Sequence, residues 1–256
     1  MQRSNKYSVP ALEKAFAIID MLAKQDEPAG ISDLCRQLDL PKTSVFFILN
    51  TLEHYEYIVK TEDGKYQLGT KWIGIGLSVL SKIDLVKLAK PFLEQLRSET
   101  GFTVHLAILN EGHAMYIDKL ENQSFVKFST YVGQRQPLHA SGVGKAIAAY
   151  LSAEELKRII QTHGLPERTK NTLTNPEQFM EALETVRTLG YALEDEEGEY
   201  GIRCIGAPIF DHQGQLKASI SITALRTDLP VHEIPRIGEK VKRAALRISE
   251  RLGYRG

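Results

Sequence analysis

The chain has 256 residues, of which 43% are apolar and 25% charged, and its formal net charge is zero. These values fit one or two soluble globular domains and exclude a chain that binds nucleic acid through bulk basicity. No apolar run is long enough to cross a membrane and no signal peptide is visible. The two cysteines, Cys35 and Cys204, lie far apart and form no disulfide or metal-binding pattern. We therefore expect a cytoplasmic protein without a membrane partner.

The N-terminal residues predict a helix-turn-helix. Residues 10–23 have the apolar spacing of a helix, and residues 31–57 contain two further short helices with a break at 39–40. Ser32 is the expected N-cap of the first of these two, and Pro41 fits the first turn of the second. An ordinary helical hairpin in a core is the alternative, because such patterns are degenerate.

The second helix of this pair has the features of a recognition helix. Its apolar stripe is opposed by a polar face, and its first turn could bind a phosphate through backbone N–H groups. A protein presents such a helix to the major groove of DNA. The expected DNA contacts of the helix-turn-helix are Ser32, Lys42, Thr43, Ser44, Phe46, Phe47 and Asn50.

A β-hairpin is predicted directly after this helix, from residues 57–59 and 66–68 around a turn at 62–65. A hairpin in this position is the wing of a winged helix. The wing residues Lys60, Lys65 and Tyr66 are expected to contact phosphates. Arg3 and Lys6 form an expected N-terminal arm for the minor groove or a phosphate. The first 69 residues nevertheless contain eight basic and ten acidic residues, so affinity must come from local placement of charge.

The remaining chain predicts a linker and a second domain. The expected domains are 1–69, a winged helix-turn-helix; 70–83, a linker helix that could carry part of a dimer interface; and 84–256, an effector-binding domain. In the last of these, strands precede and follow a group of helices, which favours an α+β fold with an antiparallel sheet. The predicted strands are 102–109, 114–120, 125–130, 202–210 and 216–223, and the predicted helices are 84–100, 142–151, 153–163, 176–189 and 234–252.

A glycine-containing loop opens one of these helices. Residues 139–146 resemble a phosphate loop but lack its first glycine and the hydroxyl after the lysine, which argues against nucleotide binding. Ser141, Gly142, Val143 and Gly144 could hold a small anion through free N–H groups, or form a plain turn.

Other polar groups of this domain have two interpretations. Ser221 and Thr223 are two apart on a strand, so their hydroxyls share one face and need a partner, either a ligand or the neighbouring backbone. Cys204 with His139 or His105 could be a nucleophile and base, but no local motif supports catalysis and a lone buried cysteine is usually a small hydrophobic residue. The acidic run at 194–197 is typical of a solvated loop.

Together these segments resemble the isocitrate-lyase-regulator (IclR) family of bacterial transcription regulators over almost the whole chain. The resemblance rests on Leu38-Asp39-Leu40-Pro41-Lys42-Thr43-Ser44-Val45 with Leu49, Thr51 and Leu52, on Tyr66-Gln67-Leu68-Gly69, and on residues 137–146, 190–192 and 201–209. It implies a winged helix, a helical linker and an effector domain similar to GAF and PAS folds. It also implies homodimers or tetramers on palindromic operators, with small organic acids as effectors and no cofactor.

The effector-binding residues expected from the loop, the acidic run and the resemblance are Ser141, Gly142, Val143, Gly144, Glu194, Asp195, Cys204, Ser221 and Thr223. Two departures from the family pattern stand out. Phe46 and Phe47 replace a His-Arg pair that is frequent in the recognition helix, and Phe47 could contact a thymine methyl group or be covered by the wing. Glu194 would repel a carboxylate unless it is protonated or accepts ligand hydroxyls, which favours a hydroxylated acid such as a sugar acid.

The sequence thus predicts an effector-responsive, DNA-binding repressor of a carbon-catabolic operon and no enzyme. Two alternatives stay open at this point: a small-molecule enzyme with an accessory helix-turn-helix domain, and a winged-helix module that binds protein. A metal held by Cys204 and nearby acids is a further, weakly supported alternative.

Overall fold

A computed structural model describes residues 8–80, 84–122 and 125–256. The chain divides into two compact units, residues 1–83 and 84–256. The proposed arm residues Arg3 and Lys6 lie outside the described residues. Within the described part, every helix is too short or too polar to span a lipid bilayer.

The N-terminal unit contains the expected helices and hairpin around one apolar core. Its elements are α1 (Pro10–Lys24), α2 (Ile31–Leu38), α3 (Lys42–His54), β1 (Ile58–Lys60), β2 (Tyr66–Leu68) and α4 (Lys71–Leu80). The core forms where the apolar stripes meet: Ile18 of α1, Leu34 of α2, and Val45 and Leu49 of α3 are fully buried. Burial of these stripes holds α3 with its opposite face outward.

The ends of α2 differ in part from expectation. Ser32 is not the N-cap, because the helix already begins at Ile31 and Gly30 precedes it in extended conformation without a side-chain cap. Asp39 adopts a left-handed conformation with φ of 52° and donates its N–H to the Cys35 carbonyl. This C-cap makes the sharp turn that leads into α3.

The wing is the antiparallel pair β1–β2, and the chain leaves β2 through Gly69, which packs closely against the backbone before β1. A Cβ at Gly69 would lie 2.4 Å from the carbonyl oxygen of Glu56, so only glycine allows this close backbone approach. Ala29 adds a bridge to Tyr66 on the other side of β2. The hairpin is therefore attached both to α3 and to the segment before α2.

The C-terminal unit has an antiparallel sheet between helices. Six of the described strands pair in the order β5-β4-β3-β8-β7-β6. The helices α6 and α8 lie over one face and α5 and α9 over the other. This is the expected α+β architecture. The elements are α5 (Leu85–Thr100), β3 (Thr103–Asn110), β4 (His113–Leu120), β5 (Arg135–Gln136), α6 (Gly142–Ala148), α7 (Ala153–His163), α8 (Pro176–Leu189), β6 (Ala192–Asp195), β7 (Ile202–Phe210), β8 (Leu216–Leu225) and α9 (Ile234–Arg251), with a 3-10 turn at Val231–Glu233.

Two strand predictions were wrong. Residues 125–130 are not a strand: the Lys119 ammonium donates to the carbonyls of Phe128 and Thr130 at 2.8 and 2.7 Å, so a side chain satisfies groups that a sheet ladder would otherwise use. The acidic run, interpreted as a loop, begins inside β6. Sequence polarity concealed this strand because one of its carboxylates points into the domain and is 2% exposed, at Glu194.

Candidate DNA-reading surface and effector cavity

The outer face of α3 is open to solvent in the way that a recognition helix requires. Lys42, Thr43, Phe46, Phe47 and Asn50 are exposed, and Ser44 is half-buried. The helix begins at Lys42 without a side-chain cap, so its first N–H groups are available to a phosphate.

The two phenylalanines form an exposed apolar patch on this face. Phe46 is 46% and Phe47 65% exposed, and their rings meet edge to face with centroids 5.8 Å apart. The alternative in which the wing covers Phe47 is wrong. These two rings are exposed apolar side chains on the face of α3 that also carries Lys42, Thr43 and Asn50.

The wing presents its lysines but not its tyrosine. Lys60 and Lys65 are exposed, and the Lys65 ammonium lies 2.9 Å from the Asp63 carboxylate. Tyr66 was expected to contact a phosphate, and this is wrong: it is 2% exposed and belongs to the core of the unit. The inward position of β2 buries its ring, and the Lys60 ammonium lies 5.6 Å from the ring centroid.

A cavity of 490 Å³ opens on the sheet of the C-terminal unit. Its floor follows the strand register, since Glu194 pairs with Cys204 and Cys204 pairs with Thr223. Ser221 lies two residues before Thr223 and faces the same side. The predicted effector residues that line the cavity are Ser141, Gly142, Glu194, Cys204, Ser221 and Thr223.

Close packing of α6 against β7 sets one wall of this cavity. A Cβ at Gly206 would lie 2.3 Å from the Gly142 carbonyl oxygen, and a Cβ at Gly142 would lie 3.0 Å from the Cys204 Cβ. Both glycines are therefore needed for contact between helix and strand. The Ser141 hydroxyl accepts the Gly144 N–H at 3.1 Å and donates to the Pro137 carbonyl at 2.7 Å.

Three expected effector residues do not line the cavity. Val143 is 1% exposed and packs in the apolar core under α6. Gly144 packs against the backbone of Pro137 and Leu138, where a Cβ would lie 2.6 Å from either. Asp195 points to the opposite side of β6 from Glu194 and pairs with the buried Arg203 at 2.6 Å.

Glu194 is the buried acid of the cavity. One of its oxygens, Oε1, accepts the N–H groups of Glu197 and Gly198 at 2.7 and 3.0 Å. Burial raises the pKa of the Glu194 carboxyl, against the lowering effect of these bonds and of the Cys204 thiol. The nearby Lys145 ammonium is held by Glu197 at 2.6 Å, so it does not pair directly with Glu194.

The Cys204 thiol is not set up as a nucleophile. Burial and the neighbouring Glu194 raise its pKa, which disfavours the reactive thiolate. Burial lowers the pKa of His105 to about 3, and its ring contacts the hydroxyls of Thr130 at 2.8 Å and Thr223 at 3.4 Å. His139 lies in a different cavity. The nucleophile–base alternative therefore has no geometric support.

Other residues of the cavity have no motif that marks them in the sequence. Tyr116 of β4 stacks on His105 with ring centroids 4.3 Å apart. It lies in a strand that the sequence predicts, but nothing in the sequence pattern marks its ring as part of a cavity. Thr130 and Arg168 come from irregular segments. Among the described residues, no group hydrogen-bonds to the Ser221 hydroxyl, which leaves it available to a ligand.

Within the described ranges, no group of three or more His, Cys, Asp or Glu side chains is placed to hold a metal ion. The alternative of a metal bound by Cys204 and neighbouring acids therefore gains no support from the geometry.

Family models match both units of the chain. The IclR helix-turn-helix domain matches residues 11–62, and the bacterial transcriptional regulator IclR C-terminal domain matches residues 77–250. This chain belongs to the IclR family. Members include the transcriptional regulator XynR of Escherichia coli K12, 33% identical over 96% of this chain and 98% of its own length. The transcriptional repressor AllR of the same strain is 35% identical over 96% of this chain and 91% of its own.

A solved structure matches a similar share of the chain. The repressor BlcR of Agobacterium tumefaciens has a TM-score of 0.87 and 28% identity, covering 97% of this chain and 99% of its own. The chain is accordingly a DNA-binding transcription regulator of the IclR family and not an enzyme.

Proposed function

We propose that this IclR-family regulator is a repressor that binds a palindromic operator as a homodimer or tetramer and responds to a small hydroxylated acid. It would act in the cytoplasm on a carbon-catabolic operon. The observation that carries the proposal is the combination in one chain of an exposed recognition helix and a hydroxyl-lined cavity with a carboxylate in its floor.

The operator contacts follow from the exposed face of α3. Lys42, Thr43 and Ser44 would position the helix start on a phosphate, and Asn50 would reach a base edge. Phe46 and Phe47 offer no hydrogen bond, so they favour thymine, the base with a methyl group in the major groove. The exposed Lys60 of the wing and Ser32 in the first turn of α2 would add contacts to the DNA backbone, which carry no sequence information.

The effector class follows from the polarity of the cavity. Glu194 keeps one carboxylate oxygen capped by backbone N–H groups, which leaves Oε2 to accept ligand hydroxyls beside Cys204. Ser221 and Thr223 supply further hydroxyls, whereas Arg168 and Lys127 provide positive charge elsewhere on the lining. A polyhydroxylated acid matches this separation of acceptor and hydroxyl groups from positive charge: its hydroxyls would face Glu194 and its carboxylate would face Arg168.

A thermal-shift screen of organic acids followed by calorimetry tests this effector class. Gluconate and related sugar acids are expected to bind, and pyruvate is expected to bind more weakly. Tight pyruvate binding with no sugar-acid binding would remove the preference for hydroxylated acids.

Repression would be relieved by a population shift. The effector would stabilise one arrangement of the C-terminal units, and this arrangement would change the spacing of the two winged helices on the operator. Half-site spacing is fixed by the DNA helix, so a small change in separation is enough to weaken binding.

A further inference from the structure

A second cavity of 190 Å³ lies in the C-terminal unit, beside the turn between β3 and β4 and under α7. Its lining includes His139, which does not line the effector cavity. The IclR-family function described above makes no use of this space.

The lining of this second cavity combines apolar and basic side chains. The apolar side chains come from α7, α8 and the segment between them. The basic side chains comprise three imidazoles and two guanidinium groups. The apolar lining residues are Leu156, Ile159, Ile160, Leu165 and Phe179, and the basic ones are His113, His139, His163, Arg135 and Arg168. The lining contains no carboxylate.

The basic groups differ in whether they already have a partner. Arg135 pairs with Glu111 at 2.8 Å. The rings of His113 and His163 meet edge to face, with centroids 4.5 Å apart. In residues 8–80, 84–122 and 125–256, by contrast, no acidic side chain lies within ion-pair distance of Arg168. Arg168 is thus the cation of this lining that is available to an anion.

His139 is the buried imidazole of this lining. Nε2 of His139 meets the Pro166 carbonyl at 3.0 Å, which requires the proton on Nε2 and leaves Nδ1 as an acceptor. Burial lowers the pKa of His139, so this neutral form persists at neutral pH. The positive charge toward an anion therefore comes from Arg168 and not from this histidine.

We propose that the second cavity binds a small carboxylate with an apolar body, whose carboxylate pairs with Arg168 and whose body packs against Ile159, Leu165 and Phe179. Bidentate pairing with an unpaired guanidinium supplies orientation, and burial of the apolar body supplies affinity.

Arg168 lines both cavities, so the two sites share one cation. A carboxylate bound in the second cavity engages the guanidinium that the proposed effector would use. Occupancy of the second cavity therefore weakens effector binding, and the effect is reciprocal. This coupling, unlike the second site itself, rests on the proposed effector function.

Calorimetry with isovalerate and benzoate as probes tests the second site on the full-length protein. Leu165→Trp fills the cavity, and Arg168→Ala removes the cation; each is expected to weaken binding by about ten-fold or more. Arg158→Ala, an exposed arginine of α7, is the matched control and should leave the affinity unchanged. Thr223→Val alters only the effector cavity and should leave it unchanged as well.

The outcomes separate the two sites. Loss of probe binding in Leu165→Trp and Arg168→Ala, with retention in Arg158→Ala and Thr223→Val, supports the proposal. Binding that survives Leu165→Trp but not Thr223→Val would place the probes in the effector cavity and overturn it. Absence of binding by either probe would also overturn it, whereas a failure of gluconate alone to bind would count only against the effector proposal.

Discussion

The Glu194 carboxylate of β6 and the Cys204 thiol of β7 lie directly opposite each other in the antiparallel register, at the floor of the effector cavity. Burial raises the pKa of both groups; Glu194 raises the pKa of the thiol further, whereas the thiol lowers that of the Glu194 carboxyl. The Glu194 carboxylate therefore offers an effector an acceptor oxygen, which is the chemistry of a site for hydroxyl groups.

Glu194→Gln tests this assignment. The amide oxygen keeps both backbone N–H bonds, but the second oxygen becomes an NH₂ donor, so a ligand hydroxyl loses its charged acceptor. We expect sugar-acid affinity to fall by about ten-fold or more, because a hydrogen bond to a charged group is worth about 1.5–3 kcal/mol. Pyruvate affinity should rise instead, since the like charge is removed. Calorimetry measures the affinity of the variant for both acids. A change in the same direction for the sugar acid and for pyruvate would contradict the assignment.

His105 makes stability depend on pH. Its folded-state pKa is about 3 against an ordinary value of 6.5, so below pH 6.5 the unfolded chain binds a proton that the folded chain does not. This contribution to stability is complete above pH 6.5 and is lost as pH falls toward 3. Between pH 3 and 6.5, His105 should make the free energy of unfolding rise with pH by at most about 1.4 kcal/mol per pH unit, and His105→Gln should remove this dependence. Urea unfolding at several pH values measures it, with the exposed His212→Gln as control. If the free energy of unfolding depends on pH equally in His105→Gln and His212→Gln, His105 is not the source of the dependence.

Phe47→Ala is expected to weaken operator binding without affecting folding. The ring is 65% exposed, so the melting temperature should hardly change. Each thymine methyl that the ring covers is worth about 0.8 kcal/mol, or roughly four-fold in affinity. A duplex obtained by selection from a random library provides the operator, and replacing its thymines singly by uracil locates the methyl group. If Phe47→Ala and wild type discriminate thymine from uracil equally, Phe47 does not read it.

Lys145→Met should destabilise the C-terminal unit strongly. The Lys145–Glu197 ion pair is buried, with side chains 4% and 13% exposed and a separation of 2.6 Å. Removing one partner leaves an uncompensated buried charge, at a cost of about 3–5 kcal/mol. Denaturant unfolding measures this cost, and adding Glu197→Leu should restore much of the stability. Lys87→Met, which breaks an exposed pair with Asp84, is the control and should change stability little.

The fold could be predicted largely because apolar periodicity survives in each element. Leu34, Val45 and Leu49 follow the helical spacing of their elements and are fully buried, as the pattern indicates. The hairpin at 58–68 and the order of strands and helices after residue 100 could be predicted for the same reason. Tyr66 was misassigned because a tyrosine beside a lysine on a wing has the same sequence pattern whether its ring faces in or out.

The residues of the effector cavity were harder to predict from the sequence, because the cavity depends on pairing between strands that are distant in the chain. The face shared by Ser221 and Thr223 follows from their spacing, but their position next to Glu194 requires the register of β6, β7 and β8. Gly144 and Asp195 were predicted from their neighbours in sequence, and Val143 from the loop and the family resemblance. Strand alternation directs Asp195 away from the cavity, and close packing buries Val143 and Gly144 outside it. Tyr116 and Arg168 lie far from any motif and enter the cavity only through tertiary structure.

The central claim is that a ligand in the cavity controls DNA binding, and fluorescence anisotropy of the selected duplex tests it most directly. We predict that a sugar acid which raises the melting temperature weakens operator binding by about ten-fold or more. We also predict that Thr223→Val abolishes this response while leaving ligand-free affinity unchanged. Operator affinity that stays constant while calorimetry shows the cavity saturated would contradict the claim.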